Sequence, residues 1–256
     1  MKILIIIDET VFFHPKFANE LITGLKRQNH QILFGLVTKI NKKNSIYYYF
    51  LKNIFKFKIL EIFLLGTKFF CLSFFKNFLL FFNFYSSVKI VLNHRKINFF
   101  EIKKNINKNT YIKKIKKYNP DIIVSSCSTI FSNEILKIPK YGCINRHSAL
   151  LPSFGGILPV FYSIAYKKKY SGVTIHLMNK KIDGGKILAQ KKILNIDKNL
   201  HKIYKECFKV SPDLIFKAIE NLLKKKFLKP KYRKSYFSFP KKNDWIEFRK
   251  NHGKFI

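Results

Sequence analysis

The spacing of apolar positions changes along the chain, and each change marks an element. Lys2 to Ile7 is an apolar, largely β-branched run, the pattern of a strand buried on both faces of a parallel sheet. From Pro15 to Gln28, Phe17, Leu21, Ile22 and Leu25 recur at helical spacing and share one face. Gln31 to Val37 reads as a second strand. Strand, helix and strand at this short spacing predict a parallel sheet with right-handed crossovers. The first strand runs into Asp8-Glu9-Thr10 with no glycine, so a dinucleotide-binding G-x-G-x-x-G turn is absent.

Residues 45–85 break the pattern. Phe, Tyr, Leu and Ile dominate, yet Lys52, Lys56, Lys58, Lys68 and Lys76 recur among them. No uncharged run approaches the roughly 20 residues that a membrane-spanning helix needs. The stretch predicts two or three helices, broken near Gly66, that pack on the sheet or on a partner. The alternative is a membrane-surface helix with aromatic residues toward lipid and lysines toward headgroups.

Beyond it, Val88 to Leu92 reads as a strand, Thr110 to Tyr118 as a basic helix stopped before Pro120, and Asp121 to Ser125 as a strand. Asn133 to Leu136 starts a short helix. Tyr141 to Asn145 is a further strand, Leu158 to Lys168 a helix, and Val173 to Met178 a strand. Lys186 to Gln190 returns as its hairpin partner across a loop holding Asp183-Gly184-Gly185. Asn199 to Lys225 is helix-rich, and Pro212 marks a new helix start. The last segment is short and basic.

Composition narrows the classes. With 256 residues, 47% hydrophobic and 25% charged, the chain is long enough for a large core and is not a disordered type. The four cysteines, Cys71, Cys127, Cys143 and Cys207, form no C-x-x-C pair, so neither a zinc ribbon nor a disulfide framework is indicated. That, with no secretory leader in MKILIIIDET, predicts a cytoplasmic setting, with membrane-peripheral attachment as the variant that residues 45–85 suggest. The net charge of +36 would ordinarily point to nucleic acid or anionic membrane. Only five of the fifty basic residues are arginine, however, and Lys, Ile, Phe, Asn and Tyr are abundant together. A general compositional bias accounts for that better than a selected polyanion site. The charge still favours anionic ligands and makes their binding salt-sensitive.

Candidate chemistry concentrates in residues 142–190. Asn145 and His147 alternate at a strand end and so project to one side, where a parallel sheet opens to ligands. An amide N–H beside an imidazole makes an oxyanion-stabilising pair. Asp183, on a later loop, is suited to raise the pKa of His147 and to take a proton from an amine. No G-x-S-x-G elbow is present, so direct transfer fits better than an acyl-enzyme. On residue type alone, plainer roles compete: Asn145 as a cap, His147 as a satisfied buried histidine, Asp183 as a turn former. His176 shares the face of Thr174 and reads as a packing residue, His14 lies just past the first strand, and no histidines share metal-ligand spacing.

The run Asn145-Arg146-His147-Ser148-Ala149-Leu150-Leu151-Pro152-Ser153-Phe154-Gly155-Gly156, then Gly172-Val173-Thr174-Ile175-His176-Leu177-Met178, then Ile182-Asp183-Gly184-Gly185, resembles the folate-dependent formyltransferase family. The resemblance covers residues 85–195 well and the opening strand–helix–strand more loosely. It implies an α/β, Rossmann-like formyltransferase fold with a mostly parallel sheet and flanking helices. Residues 1–195 would be the catalytic domain with the helical insert at about 45–85, and 196–256 C-terminal helices and tail. It implies 10-formyltetrahydrofolate as formyl donor, no metal, and Asn145, His147 and Asp183 as catalytic residues. It further implies that Ser128, Thr129, Ile130 and Phe131 grip the pterin through their backbone. Thr174 would lie beside the site, and the loop Asn179 to Gly185, with Asn179 and Gly184, would bind folate.

Departures from the family bear on the acceptor. About 56 residues follow position 200, much of them helical, which leaves no room for the β-barrel of methionyl-tRNA formyltransferase. The stretch after Leu-Leu-Pro is Ser-Phe-Gly-Gly rather than a basic loop, and the phosphate loop of the purine-pathway enzyme is missing. Elimination leaves a primary amine on a nucleotide-linked amino sugar as the expected acceptor. Methionyl-tRNA is the alternative. A non-catalytic membrane-surface or partner-binding module is the second alternative, and a homodimer is a further expected assembly.

Overall fold

The computed structural model describes residues 1–39, 46–82 and 84–256, so positions 45 and 83 of the aromatic stretch lie outside it. The chain forms two compact units. One comprises Met1–Lys42, Cys71–Arg146 and Leu177–Gly185; the other comprises Lys43–Phe70, His147–His176 and Lys186–Ile256.

The first unit is built on a parallel sheet. β1 (Lys2–Asp8), β2 (Gln31–Lys39), β3 (Phe99–Lys103), β4 (Ile122–Ser126) and β5 (Cys143–His147, to Arg146 in this unit) lie in the order β3-β2-β1-β4-β5. Each of these pairings is parallel. Ile3 through Ile7 have no exposed surface, as the continuous apolar run requires of a strand covered on both faces. One covering helix is α1 (His14–Arg27), which buries Phe17, Ala18, Leu21, Ile22 and Leu25, the face read from their spacing. On another layer Leu4, Ile6, Ile102 and Ile123 share a core with Ile112 and Ile115 of α6 (Asn109–Tyr118) and Ile135 of α7 (Asn133–Leu136).

Two expected features differ. Val88 to Leu92, expected as a strand, is helix α5 (Val88–His94). Its β-branched residues suggest a strand, but Val88, Val91 and Leu92 bury one helical face, and the Ser87 hydroxyl accepts the Ile90 N–H at 3.2 Å as an N-cap. The Glu9 carboxylate accepts the Lys89 N–H at 3.0 Å, so the negative charge sits at the helix's positive end. The strand in this part of the chain is β3. Nor does Gly66 break the aromatic stretch. After α2 (Ile46–Lys52) and a single 3-10 turn, α3 (Ile59–Phe74) runs through Gly66, and the interruption before α4 (Lys76–Phe81) falls at Phe75. Gly66 faces open space, so no close contact forces the helix to stop there.

In the second unit, β7 (Tyr170–Leu177) and β8 (Ile187–Leu194) pair antiparallel, as the hairpin reading expects. α9 (Leu200–Lys209) and α10 (Ser211–Leu223) pack on β8. Two residues of β6 (Gly155–Gly156) pair with β9 (Tyr236–Phe237). α8 (Pro159–Ala165) packs against α11 (Lys242–Lys250) through aromatic rings. Phe161 stacks on Phe248 at 4.4 Å, and Trp245 stacks on Phe255 at 5.4 Å.

The 46–70 part of the aromatic stretch is fastened to this cluster. Phe57 contacts Trp245 and Phe255, and the Tyr49 hydroxyl donates to Pro240 O at 2.8 Å. The main fastener is Glu61, whose side chain is 5% exposed. Its carboxylate receives both Nη1 (2.8 Å) and Nη2 (2.5 Å) of Arg249, together with the backbone N–H of Phe255 (2.9 Å) and of Lys58 (3.0 Å). Burial by itself would raise the Glu61 pKa; the Arg249 guanidinium and the backbone donors outweigh it and hold the carboxyl below its ordinary value. Breaking a buried pair by removing one member costs about 3–5 kcal/mol. Arg249→Met is therefore expected to lower stability by about that amount, read as a shift in the urea midpoint with an unchanged slope.

Candidate active site

In the first unit, the polar residues emerge where the apolar strands end. Asp8 closes β1, and the Ser128 backbone N–H (2.9 Å) and hydroxyl (3.3 Å) both donate to its carboxylate. Burial pushes the Asp8 carboxyl up to about 7 and the two Ser128 bonds only partly offset it. Beside it, the Thr10 hydroxyl and His14 Nδ1 are 2.8 Å apart, and His14 Nε2 faces the Ser126 carbonyl at 3.2 Å. A carbonyl can only accept, so Nε2 carries the proton. Burial first, and the Arg146 charge second, push His14 down to about 3, so the ring is neutral at physiological pH.

The expected pterin-binding segment is fastened at both ends. Asp8 holds Ser128, and Thr129 bonds to the Cys127 thiol. Asn107 Nδ2 donates to Ile130 O at 2.9 Å while its Oδ1 accepts the Ser132 N–H at 2.7 Å. The Ile130 side chain is 65% exposed, whereas Phe131 is buried in the core with Ile123 and Ile135. Only the backbone of Phe131 is thus available to a ligand. Neither Asp8 nor Asn107 belongs to the site residues that the motif implies. The end of an apolar strand is a signal for Asp8; Asn107 carries none, because its partners lie more than twenty residues away.

Asn145 is half-buried on β5, in register with Ser125. The loop after β7 is organised around Asn179. Its Oδ1 accepts the Lys181 N–H at 2.9 Å and its Nδ2 donates to Gly184 O at 3.3 Å, while the Gly184 N–H donates to Lys181 O at 3.0 Å. Asp183 sits in this turn at φ 51°, a left-handed backbone that aspartate tolerates better than most residues. The structure thus brings Asn179 and Gly184 together, and their bonds set the backbone that carries Asp183.

In the second unit His147 is buried, with Nε2 3.0 Å from the Phe154 carbonyl, so this nitrogen too is protonated. The segment after it is held from two sides. Fully buried Thr174 donates its hydroxyl to Ala149 O at 2.6 Å and accepts the Leu151 N–H at 3.1 Å. Gln190, opposite Thr174 on β8, donates to Leu151 O at 2.9 Å and to the Thr174 hydroxyl at 2.8 Å. From the other side, the Ser235 hydroxyl accepts the Phe154 N–H at 2.8 Å, and β9 pairs with Gly155 and Gly156. Gly156 has φ 94°, and a Cβ there would lie 2.0 Å from Phe237 O, so only glycine fits. Thr174 accordingly acts by shaping the Ala149–Leu151 backbone. Gln190 and Ser235, which share this work, leave no local trace in the sequence. His176 is buried on β7.

Chemically, these elements offer a neutral amide, a buried imidazole with a fixed Nε2 proton, and a carboxylate on an ordered turn. Among the described residues, no group of three or more His, Cys, Asp or Glu side chains gathers as a metal site.

The description "Formyl transferase" belongs to the family that residues 85–219 match, more than half of the chain, and the chain belongs to that family. It is 41% identical over 145 residues to the bifunctional polymyxin resistance protein ArnA of Wigglesworthia glossinidia brevipalpis, covering 56% of this chain and 22% of that protein. It is 37% identical over 116 residues to the methionyl-tRNA formyltransferase of Thermodesulfovibrio yellowstonii, covering 44% of this chain and 38% of that protein. The matches therefore span well under half of these relatives. Among solved structures, WlaRD, described as a sugar 3N-formyl transferase in the presence of dTDP and 5-N-formyl-THF, aligns with a TM-score of 0.59 at 16% identity, covering 100% of this chain and 82% of that one. At that identity the likeness concerns the fold, and it supports the Rossmann-like formyltransferase architecture.

Two measurements check the site's construction. Thr174→Val keeps the shape but strands the Leu151 N–H and the Ala149 carbonyl, and is expected to cost about 1–3 kcal/mol in urea unfolding, with Thr174→Ser near wild type. For Asp8, the folded pKa lies above the unfolded one. Its contribution is then fully present below the unfolded value and is lost as pH rises through about 7. Asp8→Asn is expected to reduce the drop in urea midpoint between pH 5 and pH 8 relative to wild type.

Proposed function

We propose that the protein transfers the formyl group of 10-formyltetrahydrofolate to a primary amine on a nucleotide-linked amino sugar. The observation that carries this reading is the Asn145-x-His147 pair on β5, with Asp183 on the ordered turn, inside the segment that matches the formyl transferase family. The donor supplies an activated formyl carbon bound to nitrogen. Asn145 offers an amide N–H to the formyl oxygen as negative charge develops there. His147, its Nε2 bonded to the Phe154 carbonyl, stabilises the developing negative charge as an imidazolium. Asp183 keeps the imidazole charged and accepts the proton that the attacking amine loses. As the new N–C bond forms, the formyl carbon's bond to the donor nitrogen breaks and that nitrogen leaves carrying a proton, as tetrahydrofolate. The fastened backbone at Ser128–Phe131 and the Asn179–Gly184 turn hold the donor. Two rigid backbone edges suit a flat, hydrogen-bonding ring such as a pterin better than a flexible chain.

The amino-sugar acceptor draws support from WlaRD, described as a sugar 3N-formyl transferase in the presence of dTDP and 5-N-formyl-THF. A second acceptor, methionyl-tRNA, is favoured by the 37% identity to a methionyl-tRNA formyltransferase. The two differ in phosphate count, so acceptor binding should fall steeply with salt for tRNA and shallowly for a nucleotide-sugar.

Mass spectrometry after incubation with 10-formyltetrahydrofolate and either acceptor tests the reading. A formyl adduct on the amino sugar is expected. His147→Ala is expected to lower turnover by about 10²–10³-fold, the range for loss of one oxyanion donor. Asp183→Asn is expected to abolish turnover while folate binding persists. Near-normal turnover in Asp183→Asn would remove Asp183 from its assigned role.

A further inference from the structure

Helix α3 is built inside out. Within the second unit its charged residues face protein: Glu61 is buried against Arg249, and Lys68 lies against His201. At 100° per residue, Ile59, Phe63, Gly66 and Phe70 form one stripe on the opposite side. These three apolar side chains are 87%, 64% and 59% exposed, and Phe55 in the preceding turn is 98% exposed. Eleven of the twenty-eight large apolar side chains exposed among the described residues fall between Tyr48 and Phe70. A contiguous apolar surface of this kind marks an interaction site.

We propose that this face seats on an anionic lipid surface. Charge selects that occupant. Lys52 and Lys58 are exposed beside the apolar face, while the one acid of the stretch, Glu61, is neutralised by Arg249. The whole chain is +36. A second copy would bring the same positive charge to the contact, whereas an acidic headgroup layer complements it. Geometry sets the mode. Sixteen residues of α3 span about 24 Å, short of the roughly 30 Å hydrocarbon core. Among the described residues no helix is long and apolar enough to cross a membrane. The helix therefore lies in the interface, with Ile59, Phe63 and Phe70 at acyl-chain depth and Lys52 and Lys58, both exposed, at headgroup level. Its polar side remains fastened through Glu61 and Lys68. This placement is independent of the acceptor and of catalysis.

Flotation with phosphatidylcholine vesicles containing 30% phosphatidylglycerol, set against pure phosphatidylcholine, tests the proposal. Wild type is expected to float with the anionic vesicles at least ten-fold more than with the neutral ones. Ile59→Ser/Phe63→Ser/Phe70→Ser is expected to stay unbound while still unfolding cooperatively, since these side chains are mainly exposed. Lys52→Gln/Lys58→Gln keeps the apolar face and is expected to lose about five-fold in partitioning per lysine, which corresponds to about 1 kcal/mol each. Absence of wild-type flotation, or equal flotation of the triple-serine variant, would overturn the proposal. So would sedimentation of wild type as a dimer that the triple-serine variant dissolves without any vesicle binding, which would assign the face to a second copy. Should the triple-serine variant misfold, the lysine pair decides, because undiminished anionic preference there rejects the charge argument.

Discussion

Complete burial of β1 governs the first unit. Five consecutive apolar residues without exposed surface need sheet neighbours on both edges and helices on both faces, and a strand so placed can carry polar groups only at its ends. Asp8 is the first such group. Its lateral neighbour β4 ends in Ser126, and β5 carries Asn145 in register with Ser125. These groups lie together at one rim of the sheet, while Asp121 accepts the Lys2 N–H at the opposite end. Burial at that rim raises Asp8 and lowers His14, and both shifts favour neutral forms where the surroundings are apolar.

The second unit solves a different problem. Its aromatic residues are too many for one small sheet to cover, and they gather instead between α8, α11 and the 46–70 segment. One buried carboxylate with four donors keeps that segment in place. The arrangement also explains why the C-terminal residues matter to the candidate site. Phe237 stacks on Phe154 and on Tyr162, and Ser235 fixes the Phe154 N–H. The backbone carbonyl that orients His147 is therefore set by residues some eighty positions further along.

The run that matches the family, residues 85–219, contains Asn145, His147 and Asp183. Asn145, His147 and Asp183 were legible because they lie in short, ordered runs around glycines and prolines whose spacing is specific. The residues that shape their backbones were not. Asn107, Gln190 and Ser235 are ordinary polar residues, and each acquires its partner only when a distant strand or loop arrives. The aromatic stretch shows the same limit: its composition announced an apolar helical insert with lysines, but not that Glu61 and Lys68 would turn inward and the rings outward.

The amino-acid sequence by itself determined the parallel core, the helices α1, α6, α9 and α10, the β7–β8 hairpin and the formyltransferase motif. Each of these is encoded in local periodicity or in a contiguous set of residue types. Tertiary structure decided that Val88–His94 is a helix and Phe99–Lys103 a strand, since a short β-branched run satisfies either state until a cap and a burial face select one. It also decided the protonated nitrogen of His147, the neutral state of His14 and the raised pKa of Asp8. Those depend on which carbonyl or charge lies nearby and how much water is excluded, and neither quantity is a property of a residue and its sequence neighbours.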